Sequence, residues 1–338
     1  MDYVALLKRA YHITIKYRAL WLFGILLAIF GGGRGGGNFG GGGGPGAEGD
    51  FSGGNVPLHN PFAGIDPVVL TAVIAVIMLI VLVMMVVAIV IRSVSRAALI
   101  GMVAKIETGD TVTVKDGWRI GWSARAWRIF LINLLVGIPL AILAIVTLLF
   151  AISPLALMAV DNSLAPLAIV LTVIFVIVWA LVLMAISVVL SPVLELSWRY
   201  TTLRETGVIE SLRQAVALVR QRLKDVALSV LVMIGVNIGA AIATFAVVIL
   251  LLIFGVLGGG IPALVGYLLT NEPLVAVLAG VPLFLLIFIV PLLFFSGLVV
   301  VYQSTMWTLI FNELTAEPAE PVETIEPVAP AESVEPES

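Results

Sequence analysis

The sequence has no cysteine, which excludes disulfides and thiolate metal sites and removes any redox signal. Its two histidines, His12 and His59, are too few for a histidine-built metal centre. Charge is scarce as well. Only 12% of the 338 residues are Asp, Glu, Lys or Arg and 61% are hydrophobic, against about 25% and about 45–50% in ordinary soluble domains. A soluble core cannot absorb that excess, so lipid is the solvent for most of the chain. No Asp, Glu, Lys, Arg or His falls near the middle of any long apolar run. That disfavours proton-coupled transport and voltage sensing, which need intramembrane charge, and metal-assisted hydrolysis, which needs clustered carboxylates or imidazoles.

What is present is a series of apolar runs of membrane length. Crossings are expected at residues 19–30, 67–91, 129–152, 167–190, 226–256 and 283–310. The first is short. Counting Ile13 and Ile15, with Lys16 and Arg18 snorkelling to the interface, brings it to spanning length. A basic start before a short apolar core also fits a secretory signal peptide, but the same design recurs deeper in the chain, which favours a retained segment. The second span is expected to end at Arg92 and Arg96, with residues 97–106 able to continue as helix up to Gly109. Helices are expected to kink or end at Ser191-Pro192 and to break at Gly258-Gly259-Gly260 with Pro262. Residues 263–269 are then expected at the surface, and Pro282 or Pro291 is expected to divide the last apolar stretch.

Three basic segments with an apolar stripe precede crossings. In residues 4–18 the stripe is Val4, Leu7, Tyr11 and Ile15, set against Lys8, Arg9, Lys16 and Arg18. Thr113 with Asp116 resembles a capping box ahead of Val114, Trp118 and Trp122 at four-residue spacing, with Trp127 close by. In residues 208–224, Leu212, Val216, Val219 and Leu223 oppose Arg213, Arg220, Arg222 and Lys224. The tryptophans and the basic groups of these helices read as membrane-interface anchors that attract anionic lipid headgroups.

Of the 18 basic residues, only Arg34 lies outside the N-terminal segment and the stretches 92–128 and 199–224. By the positive-inside rule these segments and both termini are cytoplasmic.

Residues 31–66 hold half of the 32 glycines and read as a flexible outer linker. No Lys-Ser/Thr pair follows to make a phosphate loop, and one arginine releases too few counterions for a nucleic-acid partner. Residues 313–338 carry glutamates and prolines and no basic residue. They read as a disordered acidic cytoplasmic tail on a membrane domain spanning 1–312.

The interfacial segments recur in register. Glu107-Thr108-Gly109 returns as Glu205-Thr206-Gly207, with Lys115 on Arg213, Val114 on Leu212 and Gly137 on Gly235. Leu7-Lys8-Arg9-Ala10-Tyr11 opens a looser third copy. The expected fold is therefore an all-α integral membrane protein. Its six transmembrane helices form three units, about 1–96, 97–195 and 196–312, each an interfacial amphipathic helix followed by a transmembrane hairpin.

No nucleophile, base and orienting group converge in the sequence, so no catalytic residue, metal or cofactor is assigned. The expected role is that of a non-enzymatic scaffold or accessory to other membrane proteins. The alternative is a transporter or flippase for a lipophilic substrate, along an uncharged path lined by Asn133, Asn237 and Gln303. Glu195 is read as one half of a structural ion pair; a lipid-modifying enzyme using it as base is a third reading.

Arg9-Ala10-Tyr11 with Trp21-Leu22-Phe23-Gly24, the two Glu-Thr-Gly turns, and Gly117-Trp118 leading to Trp127-Arg128 resemble a group of bacterial six-pass membrane proteins. That group is related to the membrane domain attached to some glycerophosphodiester phosphodiesterases. The resemblance covers most of residues 1–312 in pattern and implies a bacterial cytoplasmic-membrane protein. The phosphodiesterase catalytic domain has no counterpart here, so its activity is not implied.

Overall fold

The computed structural model describes residues 2–31, 67–157 and 162–316. The expected glycine-rich linker beyond Gly31 and the acidic tail from residue 317 lie outside the described residues. The elements are α1 (Tyr3–Lys16), α2 (Ala19–Phe30), α3 (Pro67–Glu107), α4 (Val114–Gly121), α5 (Ala124–Ile152), α6 (Ala165–Leu203), α7 (Val208–Gln221), α8 (Leu223–Thr270) and α9 (Pro273–Thr315). Single 3-10 turns lie at Ser153–Ala156 and Asn162–Leu164, and no strand occurs among the described residues.

Local chemistry starts the short helices. The Asp2 carboxylate accepts from the N–H groups of Val4 and Ala5 at 3.0 and 3.1 Å, satisfying two donors that a helix start leaves open. Thr113 and Asp116 form the reciprocal capping box at α4. The Thr113 hydroxyl donates to the Asp116 carboxylate at 2.6 Å and the Thr113 N–H at 3.2 Å, and these two donors hold that carboxyl below its ordinary pKa.

Helices α3, α5, α6, α8 and α9 are long and apolar enough to cross a membrane; α1 and α2 qualify only together, as a pair bent by 98°. The chain is thus a multi-pass helical membrane protein with five clear crossings. The expected first crossing is not one straight helix: its residues form the bent α1–α2 pair, which makes a sixth span only if the pair crosses as one. Helix α2 has 12 residues, about 18 Å at 1.5 Å each, against a hydrocarbon core of about 30 Å. Ile13 and Ile15 do not lengthen it, because the bend leaves both on α1. The Trp21 indole N–H fastens this corner by donating to the Thr14 carbonyl at 2.7 Å. Helix α2 lies sunk against α3 and α9. At that contact a Cβ on Gly24 would lie 2.5 Å from the Gly297 carbonyl oxygen.

The expected breaks at Gly258-Gly259-Gly260 with Pro262 and at Pro282 or Pro291 are overturned, whereas the helix does continue through residues 97–106. Helix α3 runs past Arg92 and Arg96 to Glu107, and α6 runs through Pro192 to Leu203. A proline inside a helix costs about 3 kcal/mol. Burial of Val193, Leu194, Leu196 and Trp198 just beyond Pro192 outweighs it, at about 1.5–3 kcal/mol per large side chain. Helix α8 continues for 48 residues through Gly258-Gly259-Gly260 and Pro262, so residues 263–269 are its last turns and not a surface segment. Helix α9 continues for 43 residues through Pro282 and Pro291. The glycines serve as a contact surface: Gly255 and Gly259 face Phe284, and Gly280 faces Gly259 and Ala263. Small residues at four-residue spacing let two membrane helices approach closely, and packed neighbours let prolines persist within such helices.

Buried side chains gather at one end of the bundle. There α1, α4 and α7 pack against residues 93–106 of α3, 193–202 of α6 and 301–314 of α9. Polar bonds tie this layer together. Arg9 pairs with Glu107 at 2.8 Å, Arg125 with the Glu205 carboxylate, and the Tyr3 hydroxyl donates to the Asp225 carbonyl at 3.3 Å. The rest of the long helices is apolar and exposed, as lipid-facing surface is.

Candidate functional site

Two helices set a polar line into an otherwise apolar space. On α6, Ser187, Ser191, Glu195 and Arg199 recur every four residues, which puts them on one face. On α9, Ser296, Gln303 and Ser304 face them across a partly open cavity of about 520 Å³ that α2, α3 and α8 also line. Its long dimension, from Met184 to Arg199 along α6, is about 22 Å at 1.5 Å per residue. The volume falls within the about 300–1,000 Å³ typical of small-molecule sites.

The cavity is amphipathic. Met184, Val188, Ile289, Leu292 and Leu293 line one end; Arg96, Glu195, Arg199, Asn237, Gln303 and Ser304 line the other. Arg199 is 1% exposed. Its Nη1 donates to Glu195 Oε2 at 2.7 Å and to the Glu195 carbonyl at 2.6 Å, and its Nη2 donates to the Ser304 carbonyl at 3.0 Å. Arg96 lays its guanidinium over the Trp198 ring, 3.8 Å from the centroid, a cation–π contact. Gln303 Nε2 donates to Asn237 Oδ1 at 2.8 Å. These contacts join α3, α6, α8 and α9 at the membrane-ward side of the packed layer. Arg199 thus engages both the Glu195 carboxylate, through Oε2, and its backbone carbonyl, making Glu195 one half of an ion pair. Among the described residues no group of three or more His, Cys, Asp or Glu side chains converges to hold a metal.

Of the sequence-predicted ligand residues, Asn237 and Gln303 come together in this cavity, while Asn133 on α5 is not among its lining residues. The expected path was uncharged; the observed cavity carries two guanidinium groups and a carboxylate at one end. The predicted anchors lie at the surface. Trp118, Trp122 and Trp127 are exposed, the first two stacked 5.7 Å apart. Arg213, Arg220 and Lys224 are exposed and Arg222 half-buried. The residues missed from sequence are Ser187, Ser191, Arg199 and Arg96 as one wall; the four-residue period of Ser-Ser-Glu-Arg along α6 was the available signal.

These features define a multi-pass helical membrane protein with an amphipathic, partly open cavity between its helices. The chain belongs to a family of unknown function (DUF7544), matching it over residues 13–317. No curated protein and no solved structure matches it.

Proposed function

We propose that the protein is non-enzymatic and holds a lipophilic molecule in the cavity between α2, α6, α8 and α9, as a lipid transporter or flippase does. The cavity itself carries this reading: a tall apolar space ending in a polar wall built around the buried Arg199 suits a molecule with an apolar body and a polar end. Ionisable side chains at membrane depth mark ligand paths more often than they mark structural needs.

The basic layer would lie on the cytoplasmic side of a bacterial inner membrane, with Arg213, Arg220 and Lys224 meeting anionic headgroups and both termini in the cytoplasm. The three-unit reading draws on the second and third successions, α4–α5–α6 and α7–α8–α9, each one short helix and two longer ones. It draws also on Arg9–Glu107 and Arg125–Glu205, which tie each glutamate turn to another helix. Likeness to the membrane domain of glycerophosphodiester phosphodiesterases agrees with a lipid-facing role and brings no catalytic residue with it.

The scaffold or accessory reading draws on a different observation. Every residue of α3 from 71 to 87 is exposed, so within the described chain nothing covers it, and a protein partner could dock there in place of lipid.

Photo-crosslinking with a diazirine-bearing fatty acyl lipid in proteoliposomes tests the cavity reading. Labelling is expected along 184–199 and 289–307, and Ser296→Trp, which fills the space, should abolish it. Labelling spread evenly over the lipid-facing helices and indifferent to Ser296→Trp would sink the proposal.

A further inference from the structure

Arg199 is among the largest fully buried side chains of the described chain, and its Nε–H meets no acceptor there although Nη1 and Nη2 are both engaged. A buried guanidinium with an unmet donor is costly, and this one forms part of a cavity wall. Arg96 brings a second guanidinium to the same wall, with Glu195 the one carboxylate among the lining residues. Beside them, the Asn237–Gln303 pair uses one donor and one acceptor on each other, leaving three amide N–H donors and the Gln303 amide oxygen for a third group. From Ser191 toward Met184 and Ile289 the lining turns apolar.

We infer that the ligand is an anionic amphiphile. Its phosphate or carboxylate head sits at the Arg199–Arg96 wall, where a planar guanidinium fork suits an oxyanion. Its ester or hydroxyl oxygens meet Asn237 and Gln303, and its chain runs between α6 and α9 toward Met184. This rests on the cavity reading above and adds the charge of the ligand to it.

The test is equilibrium binding to the full chain in neutral detergent, with radiolabelled 1-palmitoyl lysophosphatidic acid and 1-palmitoylglycerol, which share a chain and differ by the phosphate. The phosphate-bearing probe should bind roughly tenfold tighter or more. Arg96→Gln, and separately the charge-paired Arg199→Gln with Glu195→Gln, should bring the ratio toward one while leaving palmitoylglycerol binding in place. Ser296→Trp should remove both, and millimolar inorganic phosphate should not compete. Equal affinity for the two probes overturns the inference and leaves the cavity reading standing. A preference that survives Ser296→Trp overturns it too, because it then belongs to the surface arginines and lysines. Full competition by inorganic phosphate would mark a free-anion site and also overturns it. Failure of either amphiphile to bind defeats the cavity reading itself.

Discussion

Gly259 of α8 and Gly280 of α9 meet backbone to backbone: a Cβ on Gly259 would lie 2.7 Å from the Gly280 carbonyl oxygen, and one on Gly280 would lie 2.6 Å from the Gly259 oxygen. Without a hydrophobic driving force between helices in lipid, this close approach supplies much of what holds the hairpin. Gly259→Leu should therefore lower the stability of the detergent-solubilised protein by about 1–3 kcal/mol, the usual cost of overpacking. Gly260, one residue on, has open space where its Cβ would go. Gly260→Leu should be neutral or slightly stabilising, since leucine is the better helix former. Unfolding midpoints of the two variants in a denaturing detergent titration check the contrast; equal losses would show that the contact contributes nothing.

The Glu195–Arg199 pair has a different energetic signature. With Arg199 side chain 1% and Glu195 18% exposed, removing one partner strands the other at low dielectric. Arg199→Met should cost about 3–5 kcal/mol, and Arg199→Met with Glu195→Leu should recover most of it. A thermal melt of single and double variants measures the coupling. If the double variant is as unstable as the single one, the cost lies in packing and not in the stranded carboxylate.

Much of the architecture was legible because lipid leaves a coarse imprint: long uncharged runs, and basic groups confined to one end of each. The cap at Thr113 was readable from spacing alone, and Glu195 was readable as one half of an ion pair. Helix ends were not. A Gly-Gly-Gly-Ile-Pro sequence breaks a helix in water, yet beside Gly280 and Phe284 the same glycines become a packing face, and that partner lies some 20 residues away in the chain. The depth of α2 was hidden for a related reason. Whether Ile13 continues a span or sits on a separate helix depends on the corner closed by Trp21 and Thr14. In α1 both faces are apolar. Leu6, Ala10 and Ile13 turn inward while Val4, Tyr11 and Ile15 face out, and composition does not distinguish a core face from a lipid face. The cavity escaped notice because serine in a membrane helix usually bonds its own backbone; only the period shared with Glu195 and Arg199 singles out Ser187 and Ser191.

The two Glu-Thr-Gly turns, alike in sequence, differ in backbone. Gly109 has φ +89°, whereas in the second turn it is Glu205 that takes φ 53° and Gly207 caps α7 at φ −66°. Gly109→Ala should thus cost about 1 kcal/mol, because an alanine resists the left-handed region. Gly207→Ser should be neutral or gain a few tenths of a kcal/mol, since serine is a slightly better N-cap than glycine. Opposite shifts in melting temperature are expected; a matching loss from both would contradict the assigned backbone.

Because the chain has no cysteine, single introduced thiols report sidedness without background. Thr111, in the loop before α4, and Ala217, on α7, are exposed and belong to the layer that holds nearly all the basic residues. Glu272, at the tip between α8 and α9, is exposed at the other end, about 70 Å along α8 from Leu223 by helical rise. In oriented membrane vesicles, Thr111→Cys and Ala217→Cys should react with a membrane-impermeant maleimide from the same side, and Glu272→Cys from the opposite one. In intact cells only Glu272→Cys should label, as the asymmetry of arginine and lysine requires. Thr111→Cys and Ala217→Cys labelled from opposite sides would be incompatible with a single basic layer, because α4 and α7 would then face different solutions across the bilayer that α5 and α6 traverse between them.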